Sequence, residues 1–121
     1  MTENQIPSPS EVRDLAIATL EDAKASDIQV INLTERGTFA DYMIVCSGSS
    51  SRQVKAAAER VVLRAKAAGI KPFGIEGTGE SEWVLVDLCD VVVHVMQPQT
   101  RAFYNLEKLW SAPPATRSAQ A

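Results

Sequence analysis

The chain has 121 residues and a net charge of −3, with 45% hydrophobic and 22% charged residues. That length allows one domain with a sizeable core, and the composition is that of a globular protein rather than a disordered or fibrous one. The apolar runs are far too short for a membrane span, and no basic, then apolar, signal-like segment opens the chain, so a cytoplasmic protein is expected. Residues 1–7 are polar and read as a flexible N-terminus. Ser8-Pro9-Ser10-Glu11 then has the order of a helix start: a capping serine, a proline at the first turn and a capping-box carboxylate. Val12, Leu15, Ala16, Thr19, Leu20 and Ala23 follow at helical spacing, which predicts a helix ending near Ala25. A short strand over 28–33 comes next, and then a loop over 34–40. Tyr42 to Ser47 is apolar on both faces and predicts a central strand. Gly48 and three serines lead into a helix over 52–68, with Val54, Ala58, Val61, Ala65 and Ala68 as its buried stripe and Gly69 as its stop. A strand over 72–76 completes a strand–helix–strand unit, for which a right-handed parallel crossover is expected.

The stretch from 82 to 110 carries most of the information. It reads as strand, tight turn at Cys89-Asp90, strand, a proline-marked break, and a helix over 100–110 with Phe103, Leu106, Leu109 and Trp110 on its apolar side. This turn would pair Leu88 with Val91, Val86 with Val93 and Val84 with Val95. That face is wholly aliphatic, as one packed under helices should be. The other face pairs Asp87 with Val92, Leu85 with His94 and Trp83 with Met96. It is too apolar for water and too polar for an ordinary core, which marks it as a partner-binding surface. Cys-Asp is a poor two-residue turn, because such turns favour Gly or Asn at positive φ. Residues 111–121, rich in Ser, Ala and Pro, read as a disordered tail.

Charge is unevenly placed. Residues 72–100 hold no Lys or Arg but carry Glu76, Glu80, Glu82, Asp87 and Asp90. The helix over 52–68 carries Arg52, Lys55, Arg60, Arg64 and Lys66 against Glu59 alone. An acidic, partly apolar sheet suits a basic partner, the plainer alternative being carboxylates held in solvent. The motifs of chemistry are missing. The Ser49–Ser51 turn lacks both glycine-rich phosphate-binding patterns and reads first as a helix cap. Asp87 and Asp90 stand three apart across a turn, a poor geometry for a metal. The single histidine has no nucleophile elbow to serve, and Cys46 and Cys89 form no metal-ligand spacing, which leaves them as reduced thiols. No cofactor, no metal and no catalytic residue is expected. The basic helix lacks aromatics for base stacking, so direct sequence-specific nucleic-acid binding is not expected either.

Two ordered signatures resemble a known family. The first is Asp41-Tyr-Met-Ile-Val-Cys-Ser-Gly-Ser-Ser-Ser-Arg-Gln-Val-Lys55. The second is Glu76-Gly77, Trp83-Val-Leu-Val-Asp87, Asp90-Val-Val-Val-His-Val95, Pro98, Arg101 and Phe103-Tyr-Asn-Leu-Glu-Lys-Leu-Trp110. Over residues 10–110 the chain is similar to the ribosomal silencing factor family, also called the Iojap or YbeB family. The resemblance implies an α/β fold: a single domain over 8–110 with a mixed five-stranded sheet, helices mainly on one face, and a nucleotidyltransferase-like topology without catalytic residues. It implies a protein that binds the large ribosomal subunit through ribosomal protein fourteen of that subunit. Subunit joining is then blocked and translation repressed when nutrients run short. Matched motif positions, together with the face argument, give the expected partner-binding set: Trp83, Leu85, Asp87, Val92, His94, Met96, Arg101 and Tyr104. Free copies are expected to pair through that same face as a homodimer. The chain departs from the family pattern at Cys89, where Gly is usual, and at Gln97 and Gln99, more often His and Glu. The rival readings are a nucleotidyltransferase-like enzyme using the serine turn and a nucleic-acid module using the basic helix.

Overall fold

The computed structural model describes residues 7–38, 40–106 and 108. Expectations for residues 1–6, for Leu109 and Trp110, and for the 111–121 tail lie outside them. The elements in chain order are α1 (Pro9–Asp22), β1 (Ser26–Asn32), β2 (Tyr42–Ser47), α2 (Ser51–Ala67), β3 (Gly74–Glu76), β4 (Trp83–Asp87), β5 (Val91–Met96) and α3 (Pro98–Tyr104).

Both long helices start where the sequence says they should. Ser8 accepts a hydrogen bond from the Glu11 backbone N–H at 3.2 Å, and the Glu11 carboxylate accepts from the Ser8 N–H at 2.8 Å. Two of the first-turn donors thus find partners reciprocally. Ser50 caps α2 by accepting from the Gln53 N–H at 3.1 Å. The buried stripe of α2 is Val54, Ala57, Ala58, Val61 and Ala65. Ala57 joins the expected set, and Ala68 leaves it because it lies past the helix end, where the chain is exposed.

The five strands form one sheet in the order β1-β2-β5-β4-β3. β2 and β5 pair parallel at its centre, and the other neighbours pair antiparallel. β2 and β3 run in the same direction, as the strand–helix–strand reading requires. They are not neighbours, however: β5 and β4 lie between them, and β3 is a three-residue edge strand. The expected strand over 72–76 is shortened at its start.

Hairpin register follows from the alternation of apolar residues. Val84 pairs with Val95, Val86 with Val93, Trp83 with Met96, Leu85 with His94 and Asp87 with Val92. The turn falls at Cys89-Asp90, with the Leu88 N–H donating to the Val91 carbonyl at 2.9 Å. It manages without glycine in an unusual way. Cys89 takes φ +78, and the Asp90 N–H closes a tight ring onto the Leu88 carbonyl at 3.0 Å. That is the geometry of a strained γ-turn. The Asp87 carboxylate supports it by accepting from the Cys89 N–H at 2.8 Å.

Val84, Val86, Leu88, Val91, Val93 and Val95 join Val12, Ala16 and Leu20 of α1 and the α2 stripe in the main core. Each fully buried valine among them contributes on the order of 1.5 kcal/mol relative to exposure. A second, smaller cluster lies on the opposite face and gathers Leu33, Ala40, Met43, Val45, Val92 and Met96.

Candidate functional site

The second face is built in rows across the strands, because directly paired residues share a side. One row runs Val45, His94, Leu85, Glu76, and the next runs Met43, Val92, Asp87. The centre of the face is apolar. At the β3–β4 side it ends in two carboxylates, the exposed Glu76 and the half-buried Asp87.

The face is less bare than the sequence suggests. Leu33, Thr38 and Ala40, from the chain between β1 and β2, rise along one side, and Leu106 closes another. They leave a cavity of about 220 Å³, whose floor is Met43, Val92, His94 and Leu85 and whose rim includes Trp83. Of the eight expected contact residues, Trp83, Leu85 and Asp87 are half-buried and Tyr104 is 53% exposed. Val92, His94 and Met96 are buried, Met96 completely. Val92 and His94 line the cavity floor with little exposed surface, and Met96 packs in the same cluster without reaching the cavity. The apolar surface left for self-pairing is correspondingly smaller, because Val92 and Met96 are already covered.

Arg101 is also placed inward. It is 7% exposed, and its guanidinium donates to the Ser47 Oγ at 2.8 Å and lies 3.6 Å from the Asp27 carboxylate. Arg101 therefore ties α3 to the ends of β1 and β2. A charged residue on a short amphipathic helix reads as exposed, but here burial is compensated by a hydrogen bond and an opposite charge.

Trp83 is the hub of the site. Its indole N–H donates to the His94 Nδ1 at 2.9 Å, and its ring lies 4.8 Å from that of Tyr104 and 5.8 Å from the imidazole. Burial pushes the His94 pKa down to about 4, so the imidazole is neutral at physiological pH. The β3–β4 loop comes very close to the Trp83 backbone. A Cβ on Gly77, whose φ is +93, would stand 2.2 Å from the Trp83 carbonyl oxygen. The Glu76-Gly77 pair of the second signature thus sets both the acidic edge and the approach of the β3–β4 loop to Trp83.

The serine turn is occupied by its own helix. The N–H and Oγ of Ser49 both donate to the Gln53 Oε1, at 2.6 and 2.9 Å, and the Gln53 side chain donates onward to the Lys24 carbonyl. Cys46 is buried in the main core, and burial raises its thiol to about 12. Among the described residues no three His, Cys, Asp or Glu side chains converge as metal ligands, and no helix is long and apolar enough to cross a membrane. Sequence reasoning missed Leu33, Thr38, Ala40 and Met43 as parts of the site. Met43 was legible as the alternate position to Ile44 on β2, whereas the loop residues carry no periodic signal.

The described residues thus form an α/β domain with one sheet face under helices and the other walled into an apolar hollow edged by carboxylates. The family comparison makes this specific. A model described as "Ribosomal silencing factor during starvation" matches residues 6–121. The ribosomal silencing factor of Chromobacterium violaceum is 47% identical over 83% of this chain and 82% of its own length. That of Bacillus subtilis is 43% identical over 83% and 85%. A mouse protein named for mitochondrial assembly of the ribosomal large subunit is 35% identical over 81% of this chain and 44% of its own. The crystal structure of a Chromobacterium violaceum protein superposes with a TM-score of 0.84 at 44% identity, covering 88% of each chain. The chain belongs to the ribosomal silencing factor family.

Proposed function

We propose that this chain binds the large ribosomal subunit through ribosomal protein fourteen of that subunit, in the cytoplasm. There it obstructs the joining of the small subunit and represses translation under nutrient limitation. The action is steric occupancy and involves no catalytic step. The observation that carries the proposal is the walled face around Trp83 on a member of this family. The face is apolar at its centre and edged by Glu76 and Asp87, in a stretch of 29 residues from 72 to 100 without Lys or Arg. Trp83 and Tyr104 supply the accessible aromatic surface, Leu85 the aliphatic part, and the carboxylates meet a basic partner. Free copies would pair through the same surface, a contact that rests on Trp83, Leu85 and Tyr104 and competes with the ribosome.

The test is to mix purified subunits with and without the protein and measure the joined fraction. Wild type lowers it. Trp83→Ala removes the central anchor, a loss of about 2 kcal/mol or more and hence roughly thirtyfold in affinity, and restores joining. Asp87→Asn removes the charge but keeps an oxygen for the Cys89 N–H, and it weakens binding most at low salt. If both variants, folded by circular dichroism, block joining as well as wild type, this face is not the interface.

A further inference from the structure

We propose that His94 is a positioning residue for the docking face: as the hydrogen-bond acceptor for the Trp83 indole it fixes that ring against Tyr104 and so sets the shape of the binding surface. The inference rests on the reading of Trp83 as the anchor. Three observations carry it. His94 is 6% exposed, so it has almost no surface of its own to offer a partner. Its Nδ1 receives the indole N–H at 2.9 Å. The same indole leans on Tyr104, the exposed end of α3, at 4.8 Å between centroids.

The chemistry fixes the protonation state. An Nδ1 that accepts must be unprotonated, so the ring proton of the neutral imidazole sits on Nε2. A proton added at Nδ1 would set two donors against each other and release the indole. The surroundings hold the ring neutral. On β2 its neighbour is Val45, and on β4 it is Leu85. The wall between β1 and β2 brings Leu33, Thr38 and Ala40. Among the described residues, strand pairing and ring contact place Glu76, beyond Leu85, Asp87 on β4, and Tyr104, across Trp83, on this face, and the β1–β2 wall also carries Glu35 and Arg36. Burial is the cause of the lowered His94 pKa. A histidine is chosen here because this spot must be apolar in charge yet offer one fixed acceptor. Leucine would satisfy the first condition and fail the second.

The chain has a single histidine, which makes the test direct. Side-chain nitrogen NMR of the free protein at neutral pH should show the Nε2–H tautomer. In a Trp110→Phe background the remaining indole N–H should exchange slowly with solvent. An Nδ1–H tautomer overturns the proposal with no variant needed. Two substitutions then separate positioning from packing. His94→Asn places a side-chain oxygen near the Nδ1 position, and His94→Leu fills the volume without an acceptor. Positioning predicts that the asparagine protein keeps the slow indole N–H and pellets with large subunits within about threefold of wild type. The leucine protein should lose the slow exchange and bind about five- to tenfold more weakly. A purely structural role gives the opposite order, because a buried apolar site tolerates leucine better than asparagine, and that order overturns the proposal. If wild type fails to pellet with large subunits, the proposed function falls, while the tautomer and the indole exchange still decide the positioning role.

Discussion

Gly77→Ala should be among the most damaging single-methyl additions in this protein, and Gly79→Ala, two residues on, should be harmless. At Gly77 two costs combine. The backbone sits at φ +93, where an L side chain costs roughly 1–2 kcal/mol. The new methyl would also stand 2.2 Å from the Trp83 carbonyl oxygen, so the β3–β4 loop or the start of β4 must move by about an ångström. That movement strains two contacts that fix the loop and the strand: Ser81 N–H to the Gly77 carbonyl and Gln97 N–H to the Glu82 carbonyl, both 2.9 Å. Together the costs come to about 3 kcal/mol, which for a domain of this size lowers Tm by roughly 10–15 °C. At Gly79 a Cβ meets nothing within 4 Å. Alanine there should leave Tm unchanged or raise it slightly, by restricting the unfolded chain. Thermal melts of the two variants beside wild type make the comparison. Because the clash falls on Trp83, residual folded Gly77→Ala protein should also pellet poorly with large subunits. If the two variants melt within 2 °C of each other, roughly half a kcal/mol, the close approach of Gly77 to β4 is wrong.

Three further predictions concern titration, caps and thiols. The His94 pKa is lowered from 6.5 to about 4 on folding, so the unfolded chain takes up a proton first as pH falls. The contribution of the neutral ring is complete above pH 6.5 and is lost progressively towards pH 4, about 3 kcal/mol in all. Denaturant melts at pH 7 and pH 4.5 should therefore converge for wild type and His94→Asn relative to their separation at neutral pH; parallel loss in both would refute this. Ser8→Ala and Ser50→Ala each remove an N-cap acceptor and should lower stability by about 1 kcal/mol, additively, because they cap different helices. In the folded protein a thiol reagent should label Cys89 rapidly and Cys46 only after denaturation; labelling of both at equal rates would contradict the burial of Cys46.

The hairpin was fully legible because its signal is local. Alternating valines on one side and a mixed set on the other admit one register, and the turn chemistry was settled by Asp87, whose carboxylate stabilises a Cys89 conformation that cysteine alone would disfavour. Caps were legible for the same reason. Strand order was not, because the placement of β3 beside β4 instead of β2 depends on contacts between distant segments. Arg101 was misplaced at the surface because its partners, Ser47 and Asp27, lie far away in sequence. The covering of Val92 and Met96 was missed because it comes from loop residues without periodicity. The face itself was visible from sequence, but its depth was not.

The parallel pairing of β2 with β5 has a consequence for how the chain is made. The centre of the sheet joins residues 42–47 to residues 91–96, so it cannot close until synthesis has passed Met96. Before then β2 can pair only with β1, and the helices have no finished sheet to cover. Loop-closure entropy delays such distant pairings further and makes them late steps in folding. The proposed docking face spans that same junction, with Met43 and Val45 on one strand and Val92 and His94 on the other. No nascent or truncated chain that stops short of β5 can display it. On the proposed reading, completion of the fold and acquisition of the docking face are a single event, and a copy that stops short of β5 should not pellet with large subunits.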